Sequence, residues 1–146
     1  RGPRACSGNF VIAQAGRGAV DIEAAPMRAC QITPDEGGRL VHTNHFFDPE
    51  AAGIAETPNV RRHHSVHRLA CLKASLAGRT ELTPHDLEAL LRDHTGHPYS
   101  VCRHPDPLDP SGDYQTVTSA IMDLDARAMW ISDGPPCGAP YQHVAL

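Results

Sequence analysis

Residues 9–14 read N-F-V-I-A-Q, Gly16-Arg17-Gly18 follows, and Val20 and Ile22 then alternate against Asp21 and Glu23 up to Ala25. Successive side chains on a strand point to opposite faces, so a two-residue period around a glycine turn predicts a β-hairpin. Residues 27–33 and 39–43 repeat the arrangement around Pro34-Asp35-Glu36-Gly37-Gly38, a run of residues suited to tight turns. Four antiparallel strands are therefore expected to open the chain.

The pattern then changes. Residues 47–59 carry Asp48-Pro49, Gly53 and Thr57-Pro58 with no sustained period, which reads as a loop of a length often given to function. Over residues 60–77, Val66, Leu69, Leu72 and Leu76 recur at helical spacing before Gly78, predicting an amphipathic helix. Thr83-Pro84-His85-Asp86 is a helix start, since Thr83 can cap, Pro84 suits the first turn and Asp86 meets the helix dipole. Leu87, Leu90 and Leu91 carry that helix to about Asp93. Gly96-His97-Pro98 is a turn, residues 100–104 a short strand, 105–113 a proline- and aspartate-rich connection, and 114–124 with 126–132 a last hairpin. Strands, two helices and strands again make an α+β order. A length of 146 residues suits one domain, and no internal boundary is evident.

Composition narrows the function. A net charge of -4 and a pI near 6.2 give no field for gripping phosphate backbones or anionic lipid, so nucleic acid is not an expected partner. No apolar run of about 18 residues is present, so no membrane span is expected. The five cysteines, Cys6, Cys30, Cys71, Cys102 and Cys137, are an odd number without a C-x-x-C, which argues against both a disulfide framework and a zinc knuckle and for a reducing, cytoplasmic setting. A first residue of Arg1 is consistent with a processed product, a trimmed chain or a fragment.

Ten histidines make metal binding the first chemistry to weigh. His42 and His45, three apart on an expected strand, would face opposite ways. His63 and His67 are four apart on a helix but lack the acid of an H-E-x-x-H motif, and read better as a solvated face. Cys102 and His104 alternate, and if extended would share a face as a thiol and imidazole pair; otherwise Cys102 is a small buried hydrophobe. No cofactor or metal is expected. The more informative segment is Val41-His42-Thr43-Asn44-His45-Phe46, at a strand end entering the long loop. A carboxamide held there can donate to a developing oxyanion, which marks Asn44 as the candidate, against the simpler alternative that it closes a turn.

The run L-V-H-T-N-H-F, preceded by V-D-I-E-A-A-P and followed in order by H-P-Y-S-V-C-R-H-P-D, T-S-A-I-M-D-L-D and G-P-P-C-G-A-P-Y, resembles the acyl-coenzyme A:6-aminopenicillanic acid acyltransferase family of cysteine N-terminal-nucleophile hydrolases. The resemblance implies that residues 1–146 are the C-terminal part of an αββα sandwich. It also implies that an acyl amide or acyl-CoA is the substrate and that Asn44 is the oxyanion-hole asparagine. It implies a functional arginine near the start of the following helix, where both Arg62 and Arg68 qualify, each with a solvated helix face as its plainer reading. In the family the nucleophilic cysteine lies much farther upstream of H-T-N-H than Cys6 does here, and the aspartate that follows it has no counterpart. The chain is therefore expected to be a fragment of an amide hydrolase or acyltransferase, inactive unless an N-terminal segment supplies the thiol. The alternatives are a non-catalytic binding or interaction module of the same fold and an unrelated histidine-based metalloprotein.

Overall fold

The computed structural model describes residues 5–55, 60–106 and 114–145. The chain divides into two compact units, Arg1–Asn59 and Val60–Leu146. Among the described residues, two three-stranded antiparallel sheets and three helices make an α+β fold, as the element order predicts.

In the first unit, β1 (Gly8–Gln14) pairs with β2 (Gly18–Ala24), and β2 with β3 (Ala29–Ile32), in the order β1-β2-β3. The first hairpin forms where its period predicts, with Ile12 opposite Val20 and Phe10 opposite Ile22. Its acids are turned inward: Asp21 is 0% and Glu23 2% exposed, while Val20 and Ile22 are only half-buried. Burying carboxylates is costly unless their oxygens are hydrogen-bonded, and here donors reach both. Asn9 Nδ2 donates to Asp21 Oδ1 at 2.6 Å, and the Phe47 backbone N–H donates to Glu23 Oε1 at 2.8 Å.

The expected fourth strand, residues 39–43, does not form. The turn before it closes as predicted: the Gly37 and Arg39 N–H groups both donate to Asp35 Oδ1 at 2.9 Å, and the Asp35 N–H donates to the Arg39 carbonyl at 2.8 Å. The Arg39 backbone bond leads the interactions that hold the Asp35 carboxyl below its ordinary range. Beyond this turn the chain is fastened by the Glu23 side chain rather than by a backbone ladder, so it stays irregular. The loop of residues 47–59 contains one helical turn, α1 (Pro49–Ala52), capped by Asp48, which accepts from the Ala51 N–H at 2.8 Å, and closed by Gly53 at φ 70°, a conformation glycine adopts without a Cβ penalty. Residues 56–59 of that loop lie outside the described residues.

In the second unit, α2 (Val60–Leu76) and α3 (Pro84–Leu91) match the two predicted helices. Thr83 and Asp86 form a reciprocal capping box at the start of α3, which satisfies backbone donors that the first turn leaves over. The α2 face differs from its expected stripe. Val66 is exposed, whereas His64 and Ser65 are buried with Leu76, and the His64 ring meets Tyr99 edge-on at 4.3 Å. An aromatic partner for the imidazole lets a polar position take the inward place that the apolar count assigned to Val66.

The last hairpin is β4 (Thr118–Asp123) with β5 (Ala128–Asp133), and β5 pairs in turn with β6 (Tyr141–Ala145), a strand the sequence reading omits. Tyr141 Oη donates to Ser119 Oγ at 2.7 Å, tying the strand beyond Gly134-Pro135-Pro136 across the sheet. Residues 100–104 are irregular rather than extended, because their polar groups find scattered partners: the Cys102 N–H donates to Asp93 O at 2.9 Å, Ser100 Oγ to Cys102 O at 2.7 Å, and the Arg103 N–H to Thr116 Oγ1 at 3.0 Å. Of the expected connection at 105–113, residues 107–113 lie outside the described residues. No helix among the described residues is long and apolar enough to cross a membrane.

Candidate functional site

The first unit holds a cavity of about 440 Å³ lined by residues 7–9, Glu23 and residues 42–46. β1 supplies one wall through Gly8 and Asn9, β2 supplies Glu23 from below, and the irregular segment that replaces the fourth strand supplies the rim.

That rim is clamped at both ends by one carboxylate. Glu23 Oε1 lies 2.8 Å from His42 Nε2 and accepts the Phe47 N–H at 2.8 Å. A carboxylate oxygen only accepts, so His42 presents its Nε2–H to it. Asp21 Oδ2 lies 3.9 Å from the same nitrogen and has no hydrogen-bond partner, so two buried carboxylates face one imidazole. The His42 ring stacks on Phe47 with centroids 4.9 Å apart and 26° between planes. Holding His42 and Phe47 together makes the residues between them a short arch with Asn44 exposed on it.

His42 and His45 do not act together: His42 is held by Glu23, while His45 Nδ1 lies 3.2 Å from Thr43 Oγ1. The arch lines the cavity with Thr43, Asn44, His45 and Phe46, and the bonds of Glu23 to His42 and Phe47 fix its two ends. Sequence reasoning singles out Asn44, weighs His42 only as a metal partner of His45, and gives Asp21 and Glu23 no role. The available signal was V-D-I-E, which sets two acids on one face of a strand, followed by a histidine able to meet them.

Arg62 and Arg68 belong to the second unit, on α2. Six positions apart, they project about 120° away from one another around the helix. Arg62 is exposed; Arg68 is half-buried, and burial, with the Arg103 guanidinium second, pushes its pKa below the ordinary arginine value. Arg103 itself lies over the Tyr114 ring at 5.3 Å. His67 Nε2 is 3.4 Å from Cys71 Sγ, the residue one turn along α2.

No cysteine lines the cavity at Asn44. Cys6 is exposed, Cys30 and Cys71 are half-buried, and Cys102 and Cys137 lie in the second unit.

No curated protein matches the sequence. Residues 1–136 match the family described as acyl-coenzyme A:6-aminopenicillanic acid acyl-transferase, a span that takes in the cavity, α2 and α3. With its H-T-N-H arch built over a buried acid and imidazole, the chain belongs to the acyl-coenzyme A:6-aminopenicillanic acid acyltransferase family.

Proposed function

We propose that the chain forms the oxyanion-stabilising part of a cysteine amide hydrolase or acyltransferase, with Asn44 as donor and the nucleophilic thiol supplied by an N-terminal segment outside these residues. The observation that carries this reading is the cavity of about 440 Å³ beside the clamped Asn44 arch, in a chain of this family that sets no cysteine of its own there.

The chemistry follows from the groups required. A cysteine at a free N-terminus can pass its thiol proton to its own α-amine, whose pKa near 8 suits neutral pH. The thiolate attacks the amide carbonyl carbon, a carbon–sulfur bond forms, and the oxygen takes the negative charge. Asn44 Nδ2–H donates to that oxygen, and it contributes most where the charge is largest. The ammonium then protonates the departing amine as the carbon–nitrogen bond breaks, leaving a thioester that water or an acceptor amine resolves. Of the two arginines, the exposed Arg62 is the one the reading assigns to the carboxylate or phosphate groups of an acyl donor, and Arg68 supports the helix.

The product of the complete coding region, assayed with a chromogenic acyl amide and with acyl-CoA plus an amine, tests this. Asn44→Ala should lower kcat by about 100-fold or more while the protein stays folded. Arg62→Ala should raise KM more than it lowers kcat, and Arg68→Ala should chiefly lower stability. Unchanged kcat in Asn44→Ala would remove the oxyanion role. The same absence of a cavity cysteine favours a second reading, a non-catalytic binding module of this fold, and a complete product that carries no upstream cysteine and turns over neither substrate would leave that one standing.

A further inference from the structure

In the second unit, His94 follows α3, Cys102 and His104 lie on the irregular segment after it, and Cys137 sits in the turn between β5 and β6. These separate stretches bring one ligand-type atom from each residue within 4.8 Å of all the others. His94 Nε2 and His104 Nε2 are 3.0 Å apart, and His104 Nε2 lies 3.2 Å from Cys137 Sγ and 3.7 Å from Cys102 Sγ. A tetrahedral ion with bonds of about 2.3 Å to sulfur and 2.0–2.1 Å to nitrogen spaces its ligand atoms roughly 3.3–3.8 Å apart. The three spacings from His104 Nε2, 3.0, 3.2 and 3.7 Å, are close to that set, and the others lie within 4.8 Å.

Hydrogen bonding among the four side chains does not account for the convergence. An imidazole nitrogen offers either one in-plane N–H or one lone pair, yet three partners crowd His104 Nε2. One nitrogen cannot serve three such bonds at once, so the four side chains converge more closely than pairwise bonding requires. The backbone around them is fixed independently. The Cys102 N–H donates to Asp93 O at 2.9 Å, beside His94, and Thr95 Oγ1 donates to Asp93 Oδ1 at 2.7 Å. Arg92 Nε reaches across to the Pro136 carbonyl at 2.8 Å, and the Gly138 and Ala139 N–H groups both donate to Pro135 O at 3.0 Å, so the turn bearing Cys137 is held against the end of α3. Cys102 is fully buried at 0% exposure.

We propose that His94, Cys102, His104 and Cys137 form a closed tetrahedral site for a zinc ion that staples the β5–β6 turn to the segment following α3. Two sulfurs and two imidazole nitrogens without a carboxylate select zinc over calcium or magnesium. Four protein ligands leave no open position, so the ion is structural, and the site stands apart from the acyl-transfer reading. Binding joins the metal to both sulfurs and both nitrogens and releases the two thiol protons to solvent.

The test uses the whole chain, reduced, stripped with a chelator and titrated with Co²⁺ and then Zn²⁺. The expected result is one ion per chain, the intense visible bands of tetrahedral cobalt with a thiolate charge-transfer band, displacement by zinc, and a higher Tm in the zinc form. Cys137→Ser and His104→Asn should weaken binding by at least the roughly 10- to 100-fold that loss of a supporting group costs at such sites, while His63→Asn should leave it unchanged. If the two ligand variants fail to fold, the cobalt spectrum of the unaltered chain decides by itself. A pale octahedral spectrum, equal Tm with and without metal, binding lost in His63→Asn, or a Cys102–Cys137 disulfide forming in place of metal uptake would each overturn the proposal.

Discussion

The Glu23 carboxylate has no solvent to fall back on, and one oxygen takes both the His42 imidazole and the Phe47 N–H at 2.8 Å. Removing it takes the acceptor from two donors, at about 1–3 kcal/mol for a buried donor left unpaired. Glu23→Ala should therefore lower the urea midpoint strongly, and Glu23→Gln, whose amide oxygen can still accept, much less. Because Asn44 lies on the arch these bonds close, both substitutions should also loosen it, which hydrogen exchange at residues 42–47 would read. An Ala variant with the parental midpoint would mean that the buried acid does not hold the arch. The same residue marks a limit of reading by pattern. Alternation correctly makes β2 a strand, but alternation has no sign, and it does not say which face turns inward. That choice was made by Asn9, His42 and Phe47, which supply the acidic face with donors.

At the scale of elements, α3 is the one that local chemistry specifies most fully. Thr83 caps it, and Asp86 returns the bond to the Thr83 N–H at 2.9 Å and to its hydroxyl. The Thr83 side chain, its backbone bond and the Arg79 charge hold the Asp86 carboxyl down from 3.8 to about 2. A carboxyl whose folded pKa is depressed contributes stability above its unfolded pKa and loses it as the pH falls through the folded value. The contribution of the cap should thus be complete above about pH 4 and disappear toward pH 2. Asp86→Asn should remove that part of the acid dependence of unfolding, and Thr83→Ala should cost about 1 kcal/mol at neutral pH. An unchanged acid profile in Asp86→Asn would sink this account of the cap. Residues 39–43 are the opposite case. Their composition suits a strand, but the Asp35 turn delivers them to the Glu23 carboxylate, and side-chain bonds there replace a ladder. In α2 the helix itself is legible, whereas its inward face is not, because the ring of Tyr99 makes His64 a core residue.

At the scale of the molecule, β1 is an edge strand of its sheet among the described residues, and it leaves Phe10, Val11 and Ile12 at 56%, 58% and 53% exposure. Three adjacent apolar residues on a strand with one open edge among the described residues offer both a hydrogen-bonding template and an apolar surface. The chain should therefore self-associate with rising concentration, and Ile12→Lys should shift it toward monomer in sedimentation velocity without lowering its Tm. A monomer at every concentration, in both forms, would show that this edge is inert.

What the sequence by itself determined was the first and last hairpins, the two longer helices and the family. The hairpin periods, the capping box and the helix stop are local, since each depends on residues a few positions apart, and the order of H-T-N-H and its companion segments carries the family likeness. What only the tertiary structure decided was which polar residues share a space. Asp21 and Glu23 met His42 because a turn doubled the chain back over β2. His94, Cys102, His104 and Cys137 met because Arg92 and the Asp93 carbonyl hold separate turns together. Beyond the V-D-I-E and Cys102–His104 alternations, no spacing in the sequence encodes such meetings, because the bonds that create them span loops whose path is set by the buried groups they must satisfy.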